Sequence, residues 1–134
     1  MTVGSWNPDA DQSSTPAIDT QMLQQFVSLG LNDRLENLGA ELPPDTIAQQ
    51  AFLMRLEGDS WQAAAESLGN GEIWQLIRFF TLAEEQLAGW QAGAKSPVIW
   101  LNKVLKRRGA PLDREQLTWI RTHSDNRFLP NGPL

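Results

Sequence analysis

Apolar side chains recur at intervals of three and four residues from Pro16 onward, a spacing that places them on one face of an α-helix. No stretch alternates apolar and polar residues in the manner of a half-buried β-strand. Prolines and glycines divide the pattern into about six segments. A chain of 134 residues suits one domain. We therefore predict an all-α fold, a single compact multi-helix domain over residues 16–127.

The segments begin and end at residues that favour helix termini. Asp59 with Gln62, and Asp113 with Gln116, have the spacing of a capping box. Ser96 precedes a proline, a pair that suits an N-cap and a first helical turn. The fourth segment carries apolar residues on several sides, so we predict that it is the central helix. The predicted helices cover residues 23–38, with a break near Gly30, and then 44–57, 60–68, 71–90, 97–108 and 114–124.

Both ends of the chain differ in composition from the helical region. Residues 1–15 include Val3 and Trp6 but little else that could be buried, so we predict a flexible N-terminal tail. Residues 128–134 hold two prolines and a glycine and are predicted to form an extended tail, with Phe128 and Leu129 available to pin it. We find no signal-peptide pattern and no membrane-spanning apolar run, and expect a cytoplasmic protein without a membrane partner.

The charge of the chain is divided between its two parts. Residues 1–94 carry 3 basic and 13 acidic side chains, whereas residues 95–134 carry 8 basic and 3 acidic ones. Such asymmetry is typical of a surface that meets an oppositely charged partner. It also arises when an acidic part neutralises a basic part within one fold.

The basic, tryptophan-bearing C-terminal helices are the main candidate binding surface. Spacings of three and seven residues place Lys103 and Arg107 on the same side of a helix as Trp100. Trp and Arg are enriched at interface hot spots, and cations steer an acidic partner. We therefore expect a noncatalytic regulatory or adaptor protein that binds an acidic protein partner or forms a homo-oligomer. The candidate residues are Trp100, Lys103, Lys106, Arg107, Arg108, Arg114, Trp119 and Arg121.

Other interpretations of this surface stay open. Indoles among cations also suit nucleic acid, because the cations displace counterions from phosphates and an indole stacks on a base. Nucleic acid is therefore the alternative partner, although a net charge of −5 disfavours nonspecific DNA binding. In the simplest interpretation, the cations stabilise the last turn of a helix and the tryptophans belong to the core.

Residues 61–69 resemble the first helix and turn of a helix-turn-helix motif. Apolar residues are expected six and nine places beyond the turn glycine, Gly69, but Gln75 and Arg78 occupy those places. The following helix is also rich in apolar residues and poor in groups that contact bases. A hairpin in the core is favoured, and a degenerate helix-turn-helix over residues 60–80 is kept as a second way to bind nucleic acid.

The sequence assembles no catalytic or metal-binding constellation. The chain has no cysteine, and its one histidine, His123, stands beside Ser124 and Asp125 on a helix end, where neighbours point in different directions. Glu84 and Glu85 remain as acid or base candidates, and helical spacing favours a solvated face for both. We therefore expect no enzyme, no catalytic residue, no cofactor and no metal.

Overall fold

The computed structural model describes residues 18–132, and within this range the protein is all-α, which confirms the predicted fold class. The predicted N-terminal tail, residues 1–15, lies outside the described residues. None of the described helices combines the length and hydropathy needed to cross a bilayer. Between residues 18 and 132 there are seven α-helices and two 3-10 helices, Ala51–Arg55 and Gly93–Lys95. The α-helices are α1 (Thr20–Leu31), α2 (Leu38–Glu41), α3 (Pro44–Gln50), α4 (Gly58–Ala65), α5 (Asn70–Gln86), α6 (Pro97–Arg107) and α7 (Arg114–His123).

Helix α5 is central, as the sequence predicted. It packs against α1, α2, α6 and α7, and α6 also packs against α4. Phe26 of α1 stacks on Phe79 of α5, with 4.0 Å between ring centroids and 9° between planes. Trp61 and Trp90 are fully buried, and the Trp90 Nε1 donates a hydrogen bond to the Ile47 carbonyl at 3.0 Å. Aromatic packing around α5 therefore forms the core and fixes the surrounding helices.

The first predicted helix is interrupted where the sequence indicated a break. Helix α1 ends at Leu31, and Asp33 then adopts a positive φ of 54°. Leu35 and Leu38 are nevertheless buried, because the chain returns to the core through a turn and the short α2. The prediction of helix up to residue 38 is therefore wrong for residues 32–37. A periodic apolar pattern continued across the turn because both sides of it face the same core.

Three other predicted helices end early, and one of them, α4, ends at Ala65 instead of Leu68. Helix α3 ends at Gln50, and a 3-10 helix follows it over Ala51–Arg55. Only the first half of the helix predicted over 44–57 is therefore α-helical. Helix α5 ends at Gln86 instead of Trp90. The side-chain Nε2 of Gln91 donates to the carbonyls of Glu84 and Leu87, both at 3.1 Å, and thereby satisfies free acceptors at the helix end.

Two predicted helix starts are confirmed and one is wrong. The Ser96 hydroxyl accepts from the N–H two residues later at 3.2 Å and caps α6. Asp113 and Gln116 form the predicted capping box of α7, with reciprocal bonds of 2.8 and 2.9 Å. The Asp59–Gln62 box does not form, because α4 already begins at Gly58 and has no side-chain cap.

The described part of the predicted C-terminal tail turns back over α6. The Asn102 Nδ2 donates to the Pro130 carbonyl at 3.1 Å, and the Lys106 Nζ donates to Asn131 Oδ1 at 2.8 Å. Leu129 is buried and Phe128 is partly buried against the core. This segment thus covers one side of α6 and leaves another side free to line a groove with α4.

Candidate partner-binding surfaces

The sequence-predicted binding residues fall on two surfaces. Helix α6 or its end carries Trp100, Lys103, Lys106, Arg107 and Arg108, and α7 carries Arg114, Trp119 and Arg121. Helix α6 packs against α4 and α5, and α7 packs against α5. Within residues 18–132, α6 and α7 make at most marginal contact with each other. The two basic helices therefore do not form one packed pair.

The first surface is a groove between α4 and α6, which we call the α4–α6 groove. It consists of two adjoining cavities of about 190 and 170 Å³. Each cavity is too small for a drug-sized ligand, which takes about 300–1,000 Å³, but has room for a side chain. The groove is lined by Gly58, Asp59, Gln62, Glu66, Trp100, Lys103, Val104, Arg107 and Arg108.

Trp100 is the partly buried aromatic residue of this groove. Its ring lies against the backbone of Gly58, where an added Cβ would be only 2.7 Å from the indole Cε3. The Lys103 Nζ lies 4.7 Å from the ring centroid, within cation–π range. The indole is therefore held between the first turn of α4 and a lysine, and part of it remains accessible.

Arg108 is occupied by contacts within the fold. Its Nη2 donates to the Ala65 carbonyl at 2.8 Å, and its Nη1 donates to the Leu68 carbonyl and to Asn70 Oδ1, both at 2.9 Å. These bonds satisfy backbone acceptors at the end of α4, which has no further helical turn to supply donors. Arg108 is a structural residue that joins α6 to α4.

The other cations of α6 have different environments. Lys106 is held by Asn131, and Lys103 lies over Trp100. Arg107 is exposed, lines both cavities of the groove and makes no hydrogen bond or ion pair with any residue in the range 18–132. Lys103 and Arg107 are therefore the cations that this groove offers to a partner.

The second surface surrounds Trp119 of α7. The Trp119 indole meets the Trp74 ring edge-on at 5.7 Å and stacks on His123 at 4.3 Å, with 22° between the planes. The Arg78 guanidinium lies 5.3 Å from the indole centroid. Arg114 and Arg121 are exposed on the same helix and line neither of the cavities beside Trp119.

Two cavities of about 340 and 640 Å³ adjoin at Arg78 and Trp119, and we call them together the α5–α7 groove. Among the described residues that line it, the groove has four carboxylates and one guanidinium. That guanidinium already bonds to the Gly30 carbonyl at 3.2 Å, and to Gln75 and Asp33. The lining residues are Asp33, Leu35, Glu36, Trp74, Arg78, Leu82, Gln86, Asp113, Glu115, Gln116, Trp119 and His123.

The local sequence pattern did not predict this acidic groove. Its carboxylates come from the turn after α1 and from the start of α7, about 80 residues apart, and no local charge run marks them. The acidic excess of residues 1–94 was a signal that such a surface exists. Only the packing of α7 on α5 brings these groups together.

Glu84 is buried, with 5% of its surface exposed, so the predicted solvated face is wrong for this residue. The Ser96 hydroxyl donates to its Oε2 at 2.5 Å, and the Ala92 N–H and Asn126 Nδ2 donate to its Oε1 at 3.2 and 3.1 Å. Burial raises the pKa of Glu84, and these hydrogen bonds offset part of that effect. The donors lie 8, 12 and 42 residues further along the chain, outside α5, so helical spacing could not reveal them.

Glu85 and His123 occupy exposed positions near the C-terminal segment. Glu85 is solvated as predicted and accepts a hydrogen bond from the Asp125 N–H at 3.1 Å. The His123 Nδ1 lies 2.8 Å from the Trp119 carbonyl at the end of α7. No group of three potential metal ligands occurs among residues 18–132.

The would-be recognition helix of the degenerate helix-turn-helix is α5. Eight of its residues are buried, including Ile73, Leu76, Ile77 and Phe79. Neighbouring helices cover it on several sides. A helix that reads DNA must lie in the major groove, and the accessible side of α5, with Arg78, Leu82 and Gln86, lines the groove beside α7.

Comparison with known proteins identifies no relative: no family model matches the chain, and neither curated proteins nor solved structures show a match. The two grooves are the features of the structure that bear on function.

Proposed function

We propose that this protein is a noncatalytic regulatory or adaptor protein that binds an acidic segment of a protein partner in the α4–α6 groove. The observation that carries the proposal is the juxtaposition of partly buried Trp100 with Lys103 and the exposed side chain of Arg107. Trp and Arg are the side chains that most often dominate interface energetics.

The groove is ordered before a partner arrives. Gly58 and Lys103 already hold the Trp100 indole, so binding need not immobilise it. An interface made from such preorganised groups loses little conformational entropy on association. The cations on α6 add long-range attraction, which raises the association rate and makes it sensitive to salt.

The charges of the groove favour a peptide over nucleic acid. Its α6 wall is cationic, but its α4 wall carries Asp59 and Glu66. A nucleic acid brings a continuous row of phosphates that would meet both walls. A peptide can direct carboxylates at Lys103 and Arg107 and neutral side chains at α4. The second candidate, nucleic-acid binding through the same indole and cations, is tested in the same assay.

The test is fluorescence anisotropy with labelled probes at low and near-physiological salt. The probes are a peptide of alternating acidic and aromatic residues, its Asn/Gln counterpart, duplex DNA, single-stranded DNA and structured RNA. We expect binding of the acidic peptide that weakens with salt, and a loss of about tenfold or more in R107E.

The matched control is R121E, which makes the same charge change at an exposed arginine outside the groove. We expect R121E to bind the peptide as the native chain does. Equal losses of peptide affinity in R107E and R121E would show that net charge alone causes the effect and would contradict the proposal. Tighter binding of a nucleic acid that R107E abolishes would establish the second candidate instead.

A further inference from the structure

We infer that the acidic partner of the α4–α6 groove is the α5–α7 groove of a second copy of this chain, so that copies associate head to tail. This inference rests on the proposed function of the α4–α6 groove. It supplies an occupant for the larger acidic groove as well, which the sequence did not reveal.

The charges of the two grooves are complementary. The α5–α7 groove has carboxylates on both sides of Trp119, at Asp33 and Glu36 and at Asp113 and Glu115. Its one cation is already satisfied, because the Arg78 guanidinium bonds to three groups of its own chain. The groove therefore retains negative charge that attracts cations such as those on the α6 wall.

The chemistry of the larger cavity suits lysine and arginine side chains. Leu82 and the Trp119 indole provide partly buried apolar surface, and the exposed side chains of Asp33 and Glu36 belong to the same lining. Long cationic side chains pack their methylene stems on apolar surface while their charged ends reach carboxylates. Lys103 and Arg107 are such side chains, presented one helical turn apart on α6.

One molecule cannot join its own two grooves. Among residues 18–132 the grooves share no lining residue, and α6 of one groove and α7 of the other are each packed against α5. The attraction between them is therefore satisfied between copies. Such contact is heterologous, so each added copy leaves one groove of each kind free at the ends of the assembly. The average size of the assembly should then rise with concentration.

The experiment is sedimentation velocity of the full chain from micromolar to near-millimolar concentration, at low and high salt. The native chain should associate at low salt and dissociate at high salt. Two charge reversals separate the grooves: K103E/R107E makes both grooves acidic, and E36K/E115K makes both basic. All four positions are exposed, and circular dichroism verifies folding. Each variant alone should weaken association at least tenfold.

A mixture of the two variants tests directly whether the two grooves bind each other. An equimolar mixture pairs an intact basic groove with an intact acidic groove and should restore association, whereas R121E should associate like the native chain. Failure to restore association overturns the inference, and so does association that neither reversal weakens. A native chain that stays monomeric while still binding the acidic peptide through Arg107 overturns the inference and leaves the proposed function standing.

Discussion

The backbone of Gly58 lies against the ring of Trp100, so closely that a Cβ at position 58 would stand 2.7 Å from the indole Cε3. This contact joins the first turn of α4 to α6 and sets the orientation of the indole in the α4–α6 groove. It also gives a physical reason why α4 begins at Gly58 without a side-chain cap: a tertiary contact, which only glycine permits, holds that turn in place.

The first prediction concerns Gly58→Ala. Alanine normally stabilises a helix relative to glycine, but here its methyl group would displace a packed ring, so we expect a loss of about 1–3 kcal/mol in unfolding free energy. The control is Gly71→Ala in the first turn of α5, where a Cβ would meet nothing within 4 Å and should stabilise the protein slightly. Urea denaturation followed by tryptophan fluorescence measures both. An unchanged or raised stability of Gly58→Ala would contradict the packing described.

The second prediction distinguishes the structural role of Arg108 from the binding role of its neighbour Arg107. Arg108→Ala removes three bonds that close the end of α4, and charge-assisted bonds of this kind give an expected loss of about 1–3 kcal/mol in unfolding free energy. Arg107→Ala should change stability by less than about 0.5 kcal/mol, because this exposed side chain makes no hydrogen bond or ion pair within residues 18–132. For the affinity for the acidic peptide, we expect the larger loss in Arg107→Ala. Equal stability losses in the two variants would remove the distinction between the structural and the binding arginine.

The third prediction concerns the pH dependence caused by Glu84. Because burial raises its folded pKa, the folded state holds this proton more tightly than the unfolded state. The contribution of Glu84 to stability is therefore greatest below the unfolded pKa of about 4.3, and falls as pH rises through the raised folded value. Glu84→Gln lacks this titration. The stability of the native chain relative to Glu84→Gln should thus decrease from acidic to neutral pH, as measured by denaturation at both. A constant difference would contradict the burial of an ionisable carboxyl there.

The fourth prediction concerns the donors around Glu84. Glu84→Ala leaves the Ser96 hydroxyl, the Ala92 N–H and the Asn126 amide without their shared acceptor. Unpaired buried donors and the cavity together give an expected loss of about 2–4 kcal/mol in unfolding free energy. Glu85→Ala, at the exposed neighbouring position, should cost less than about 1 kcal/mol. Comparable losses in the two variants would show that the network contributes little.

Local sequence patterns predicted the helices well because the signals for them lie within a few residues. Apolar spacing identified α5 as central, and Asp113 with Gln116 correctly marked the start of α7. The pattern was wrong where a tertiary contact determines the start of a helix. The capping box predicted at Asp59 does not form, and the first turn of α4 is instead held by the contact between Gly58 and the distant Trp100.

The candidate site was predictable only in part, for the same reason. The spacing of Trp100, Lys103 and Arg107 correctly placed them on one side of α6. It could not distinguish Arg108, whose acceptors are about 40 residues away on α4. The acidic α5–α7 groove was not predicted, because segments that are distant in sequence meet only in the folded chain.

The central claim is that the α4–α6 groove is the binding site. It is tested most directly by titrating the acidic peptide into ¹⁵N-labelled protein and following the tryptophan indole N–H signals, assigned with W100F and W119F variants. We predict that, in protein dilute enough to be monomeric, the Trp100 signal shifts progressively with peptide, that the Trp119 signal stays in place, and that R107E abolishes the shift. A shift of Trp119 without Trp100, or no shift of either signal, would contradict the claim.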